Sequence, residues 1–298
     1  MLINPAARRA LRKALADSDF DVVHAHLGVV SPFAMDGVQV ALDASLPVAA
    51  TWHSVTGRSE PVVRALGYPA RWARRGVALS AVSAVAAAPV ERIAKTPVSL
   101  IPNGIDTSFW SAGEVCPAGD GLRVVSAMRL ASRKRPQQLI ELVERARAVS
   151  GRDIRLTIAG DGPLRRRLDS RCPHWCRLPG RLSAGALRDL YRSADVYASP
   201  AVLEAFGIAA AEARSCGLPL VTRAESAVAS MIEHERTGLV VGDDDEFATA
   251  LSRLATDSML RERLSSASRT DRIGFGWPDV LGKTLAEYDR ARRLATQR

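Results

Sequence analysis

The sequence predicts an α/β protein of two domains, and three observations carry that prediction. Short runs rich in Val, Ile and Leu alternate with helix-like stretches almost from end to end, the pattern of βα units and parallel sheets. The second half alone holds six such runs, the number a doubly wound sheet uses. The length of 298 residues, at ~150 residues per domain, leaves room for two cores.

The elements follow in order. Met1 to Asp19, MLINPAARRALRKALADSD, reads as a basic helix leading into a first strand at Asp21 to Ala25. Further strands are expected at Val48 to Thr51, Val77 to Val82 and Val98 to Ile101, which leaves this half about two strands short of a doubly wound sheet. Thr107 to Gly121, TSFWSAGEVCPAGDG, is rich in Gly, Pro and Ser and lacks periodicity, so it is read as the connector. The domains are therefore expected at residues 1–112 and 113–276. The second holds strands near Leu122 to Met128, Ile154 to Ala159, Trp175 to Leu178, Asp195 to Ala198, Leu218 to Thr222 and Gly238 to Val241. Helical segments follow over Asp245 to Ala267, then Trp277 to Arg293, with Pro278 at a helix start where its missing N–H costs nothing. Residues 277–298 are expected to return toward the N-terminal domain.

Composition excludes several classes. At 47% hydrophobic and 24% charged, the chain is neither collagen-like nor disordered. The longest charge-free apolar stretch, Gly76 to Val90, is shorter than the ~20 residues that cross a bilayer, and no charged-then-apolar leader precedes the first element. Four scattered cysteines, Cys116, Cys172, Cys176 and Cys216, give no disulfide framework, and a cytoplasmic location is expected. The net charge of +9 favours anionic partners: nucleic acid, acidic lipid or phosphorylated substrates. With 5% aromatics and neither RNP-type runs nor zinc-finger spacing, nucleic acid is not expected.

The strongest local signal is Glu204 to Glu212, EAFGIAAAE, between the breaker Pro200 and a Cys216-Gly217-Leu218-Pro219 helix stop. Residues eight apart differ by roughly 80° on a helix wheel, so the two carboxylates share one face only if Glu204 lies in the loop before the helix. That arrangement would offer both to ligand hydroxyls at the carboxyl edge of a parallel sheet; two solvated helix charges are the plainer alternative. Arg129, Arg133 and Lys134 follow the first strand of this half, where cations and a helix N-terminus together suit a diphosphate; a solvated basic turn is the alternative. His53 in TWHS follows a strand, and His24 and His26, two apart on another, point to one face; lining a site and plain packing both fit them.

Three patterns are read as structural. Asp243, Asp244 and Asp245 precede a helical segment, where acids favour the N-terminus. Cys172, His174 and Cys176 supply three ligands where a structural zinc takes four. Gly160 to Pro163, GDGP, is not a dinucleotide fingerprint. Arg58 to Arg75 mixes Arg64, Arg71, Arg74 and Arg75 with Tyr68 and Trp72, a composition suited either to an anionic membrane face or to a solvated helix.

With DVVHAH (Asp21 to His26), TWHS (Thr51 to Ser54), VSAV (Val82 to Val85), IPNGID (Ile101 to Asp106), MRLASRKRP (Met128 to Pro136), IAGDGP (Ile158 to Pro163), LPGRLS (Leu178 to Ser183), ADVYASPAVLEAFGIAAAEA (Ala194 to Ala213) and TGLVV (Thr237 to Val241), the sequence resembles the retaining glycosyltransferases of family 4, also called group 1 glycosyltransferases. The resemblance runs from about Asp21 to the C-terminus. It implies the GT-B fold, two Rossmann-like domains facing a cleft, and retaining transfer of a sugar from a nucleotide-diphosphate donor to a glycan or lipid-linked acceptor. Arg129 and Lys134 are then expected to neutralise the diphosphate without a metal, which stabilises the departing nucleotide. Glu204 is expected on donor-sugar hydroxyls, Glu212 on the ribose, and the amides of Phe206, Gly207 and Ile208 around the phosphates. Gly180, Arg181 and Leu182, in the loop ending at Ser183, match the base-contacting loop. Ala184 and Leu187 stand where some guanine-nucleotide users carry an acid and a Lys, so UDP- and GDP-sugars both remain open. His53 matches a histidine near the reaction centre, with His24 and His26 on the acceptor side.

One departure accompanies the match. Relatives begin with a strand, a Gly-rich loop and further strands before the DVVHAH segment, and none of these precedes it here. An incomplete N-terminal domain is therefore expected, with a truncated start favoured over a natural fragment. The lead expectation is an enzyme acting on a cell-envelope glycan or glycolipid, peripheral at the inner membrane face. The alternative is a non-catalytic nucleotide-sugar-binding fragment or partner subunit.

Overall fold

In the computed structural model, the described residues are 5–114, 121–271 and 273–297. Met1, Cys116 and residues 115–120 of the expected connector lie outside them. The chain divides into two units, 1–104 with 277–298, and 105–276.

The first unit carries a parallel sheet of β1 (Val23–Leu27), β2 (Val48–Trp52), β3 (Ala78–Ala81) and β4 (Ser99–Leu100), in the order β1-β2-β3-β4 among the described residues. Strands β2 and β3 are buried throughout, as expected of central strands covered on both faces. The helix Trp277–Ala295 closes one face: Ala291 packs on Ala49 and Ala78, and Arg290 donates to the Leu79 carbonyl at 3.1 Å and to Ser99 Oγ at 2.8 Å. Small residues on both sides let helix and sheet approach closely. On the other side of Trp52, Tyr68 and Trp72 stack into the core, each 5% exposed. This corrects the membrane-facing reading of Arg58 to Arg75: the segment breaks at Gly67 (φ +60°) into helices Glu60–Leu66 and Tyr68–Arg74, and its aromatics face inward.

The second unit is a six-stranded parallel sheet of β5 (Leu122–Ala127), β6 (Ile154–Ala159), β7 (Cys176–Gly180), β8 (Val196–Ser199), β9 (Leu220–Arg223) and β10 (Gly238–Val241). Its order, β10-β9-β8-β5-β6-β7, reverses direction between β5 and β8. Open α/β sheets bind ligands at such a reversal, outside the carboxyl ends of the strands. Leu122, Val124, Ile154, Leu156 and Ile158 point to one face and form the core with Leu139, Val143, Phe247 and Leu251 of the covering helices.

The junction falls at 104/105 rather than 112/113. Residues 105–114 pack within the second unit: Ile105 N–H donates to the Phe275 carbonyl at 3.0 Å, Arg192 Nε to the Ser111 carbonyl at 2.9 Å, and Trp110 is 8% exposed beside Tyr191. A buried Trp anchors a stretch whose composition alone reads as connector.

Candidate active site

Four loops meet at the carboxyl edge of the second sheet. After β5, Arg129 is exposed and Lys134 closes the short turn Ser132–Lys134. After β8, Glu204 lies in the loop and Glu212 on the helix Ile208–Ser215, the arrangement under which the two carboxylates share one face. Lys134 Nζ pairs with a Glu204 carboxylate oxygen across the β5/β8 reversal, with side-chain exposures of 18% and 15%. Tyr197, on β8, donates to the Ala127 carbonyl at 3.1 Å, and both Glu204 and Glu212 act electrostatically on its buried phenol. Both acids thus act on one phenol, whose acceptor, the Ala127 carbonyl, lies two residues upstream of Arg129.

Glu212 has no cation partner among the described residues, and burial pushes its carboxyl up to about 7. Gly207 begins the helix at φ +90°, where an added Cβ would come 2.6 Å from Val228 Cγ2. Only glycine turns the chain there without strain. Phe206 is buried edge-on against Phe275, and Ile208 is exposed at the first helical position.

The loop after β6 explains why Arg129 stands where it does. Gly160 adopts φ +131°, and a Cβ on it would fall 1.9 Å from the Met128 carbonyl oxygen. The Met128 and Leu130 N–H groups donate to the carbonyls of Ala159 and Asp161, both at 2.9 Å, so the glycine turn clamps the residues flanking Arg129. The Gly160 N–H donates to the Gly180 carbonyl at 2.7 Å, which brings in the loop after β7. In that loop Arg181 is exposed, Leu182 half-buried, and Ser183 caps the helix Ala184–Arg192.

The acidic run is absorbed structurally. Asp243 caps the helix Asp244–Thr256, and Asp244 bridges Arg135 and Arg223, at 3.0 and 2.7 Å. Asp245 pairs with Arg145. Arg135 sits at φ +58°, an arrangement costing ~1–2 kcal/mol that its Asp244 pair and its bond to the Pro200 carbonyl offset. Cys172 Sγ donates to the Cys176 carbonyl at 3.2 Å.

In the first unit the three histidines form one cluster, His26 and His53 toward the β1/β2 carboxyl edge and His24 two residues back on β1. His26 Nδ1 and His53 Nε2 share a hydrogen bond of 2.8 Å, and the His24 and His26 ring centroids lie 4.2 Å apart with the rings tilted by 34°. His24 is held between Thr51 Oγ1 at 2.7 Å and the Tyr288 hydroxyl at 3.1 Å. Burial and the neighbouring imidazoles lower His24 to about 4, and burial first of all also lowers His26 and His53, so the cluster is neutral near pH 7. Tyr288 and Tyr197 carry no local sequence signal, whereas the Gly-x-Gly after β6 does signal close backbone approach.

A parallel sheet with a charged ligand edge at its strand-order reversal, joined to a second parallel α/β unit, defines the GT-B class of glycosyltransferase folds. Residues 117–271 match the family described as Glycosyl transferases group 1, and residues 1–109 match Glycosyltransferase Family 4. The chain belongs to the group 1 glycosyl transferase family. It is 28% identical to the phosphatidyl-myo-inositol mannosyltransferase of Mycobacterium leprae, over 96% of this chain and 78% of that one. It is 39% identical to the D-inositol 3-phosphate glycosyltransferase of Kribbella flavida, over 35% of this chain and 25% of that one. The chain spans about half or less of such D-inositol 3-phosphate relatives, 49% for that of Stackebrandtia nassauensis. The structure of Anabaena HepE with UDP and glucose matches with a TM-score of 0.74 and 18% identity, over 95% of this chain and 81% of that one. That likeness shows the fold. Among the described residues no helix is long and apolar enough to cross a membrane.

Proposed function

We propose that the protein transfers a sugar from a nucleotide-diphosphate sugar to a hydroxylated acceptor, with retention of anomeric configuration and without a metal. The observation that carries this is the Lys134–Glu204 pair spanning the β5/β8 reversal. Lys134 and Arg129 supply fixed positive charge for the diphosphate. As the bond to the anomeric carbon breaks, negative charge grows on the β-phosphate, so cations there bind the transition state more tightly than the ground state. Glu204 accepts from donor-sugar hydroxyls and Glu212 from the ribose, while the amides of Phe206, Gly207 and Ile208 complete the cradle. The Gly180 to Ser183 loop lies by the base.

His53 carries the acceptor-side role, with His26 holding its ring and His24 behind. A neutral imidazole both donates and accepts, which suits sugar or acceptor hydroxyls. The acceptor is a glycan or a lipid-linked polyol at an anionic membrane face. Relatives named for inositol phosphate and phosphatidyl-myo-inositol acceptors support this reading, as does the basic helix Pro5–Ala16, which has no buried residue.

The test is a screen of UDP- and GDP-sugars on the full chain, by calorimetry and by nucleotide release. Lys134→Ala is expected to lower turnover roughly a hundredfold to a thousandfold, the usual loss for one transition-state donor. Turnover is expected to persist in EDTA, with the product keeping the donor's anomeric configuration by NMR. Binding without release under every condition would make the chain a non-catalytic binder, and no binding at all would overturn the reading.

A further inference from the structure

The amino-terminal half of the second sheet carries a separate feature that sugar transfer does not use. Arg123 on β5 and Arg155 on β6 are register partners, and Arg177 on β7 partners Thr157, two residues beyond Arg155. Side chains at such positions point to one face, so three guanidiniums stand side by side on three adjacent strands. This is the face opposite the Leu122–Leu156 core. They line a cavity of about 490 Å³ walled on its apolar side by Trp175 and Leu190. That volume lies within the ~300–1,000 Å³ of ordinary small-molecule sites.

The charges are arranged for an anion. Arg123 is occupied by Asp195 and Arg155 by Asp153, at 2.7 and 2.9 Å. Arg177 is exposed and has no acidic partner among the described residues. Asp153 is the one carboxylate among the lining residues, against three arginines, and Arg147, stacked 5.3 Å over Trp175, shares it at 2.9 Å. Asp195 and Asp153 already counter Arg123 and Arg155, and Arg147 shares Asp153, so the surplus positive charge on this face rests on Arg177 and on the Arg147–Asp153–Arg155 cluster. The planar fork of each guanidinium matches phosphate oxygens.

We infer that this cavity is a second anion site, distinct from the Lys134–Glu204 edge, which takes a small phosphate ester through Arg155 and Arg177 with its remainder against Trp175 and Leu190. Arg123 follows the start of β5 whereas Arg129 follows its end. Arg155 lies level with Arg123 and Arg177 with Val125, six and four residues before Arg129, so the two sites are roughly 13–20 Å apart along the sheet, at ~3.3 Å per residue.

The experiment is calorimetric titration of the full chain with inorganic pyrophosphate, compared with R155A/R177A and with K134A. Both arginines are exposed, so the double variant is expected to keep its melting temperature and its affinity for UDP within twofold. Pyrophosphate affinity is expected to fall at least tenfold in R155A/R177A and to survive in K134A. Competition by AMP or by glucose 6-phosphate then tells whether the remainder is a nucleoside or a sugar. The inference is overturned if pyrophosphate fails to bind at millimolar concentration, if R155A/R177A binds it as the native chain does, or if neither ester displaces it.

Discussion

The two sheets present the same edge with opposite chemistry. At the carboxyl ends of β5 and β8 stand charges, Lys134 paired with Glu204 and Arg129 in the same loop as Lys134; toward the carboxyl ends of β1 and β2 stand His26 and His53, with His24 two residues back on β1, neutral and hydrogen-bonded. Burial acts at both, raising Glu212 to about 7 and lowering His24 to about 4, because in each case it penalises the ionised form. One parallel-sheet plan therefore yields one edge that carries charge and another lined by neutral imidazoles. What differs is that an ion pair, Lys134 with Glu204, stands at one edge, while the ionisable groups at the other are imidazoles hydrogen-bonded in their neutral form.

The largest expected effect tests how rigidly each edge is built. Gly160 and Gly28 each follow a sheet strand, but a Cβ on Gly160 meets the Met128 carbonyl at 1.9 Å and φ +131°, whereas one on Gly28 meets only Ser31 Oγ at 3.2 Å and Ser54 Oγ at 3.7 Å. Gly160→Ala is expected to cost about 3 kcal/mol or more in urea denaturation, and Gly28→Ala under about 1 kcal/mol. Equal costs would break the contrast.

A smaller effect comes from His24. Its folded pKa of about 4 lies below the 6.5 of the free side chain, so between those values the unfolded chain binds more protons. Stability is therefore fully present above about pH 6.5 and falls as pH drops toward 4, by roughly 2 kcal/mol after allowing for partial exposure. His24→Gln is expected to flatten that decline, as read from denaturation midpoints at pH 7, 5.5 and 4. The smallest effect has the opposite sign. Glu212 is raised from 4.5 to about 7, so its contribution is present below pH 4.5 and lost as pH rises through 7. Glu212→Gln is expected to gain about 1 kcal/mol at pH 8 and nothing at pH 4.5, in the same assay.

Much of this was legible in the chain itself. Each of the ten strands among the described residues overlaps a stretch expected from the sequence, with ends displaced by at most two residues. Glu204 and Glu212 were placed by the spacing and the Pro200 breaker. The junction was not, because Trp110 joins the second core through contacts that no local composition encodes. Nor was Tyr288, which reaches His24 across 264 residues of sequence. The aromatic pair Tyr68 and Trp72 misleads for a related reason: residue type suits a membrane surface, and only the packing on Trp52 reveals which way the rings turn.

The ion pair at the sheet reversal also sets a condition on any ligand that would separate its partners. A bare phosphate that captures Lys134 strips Glu204 of its cation and leaves a half-buried carboxylate facing nothing, so part of the new attraction is cancelled. A molecule bringing both an anion and sugar hydroxyls satisfies the two partners at once. Under the proposed donor role, the pair would favour such a two-part ligand over a simple anion.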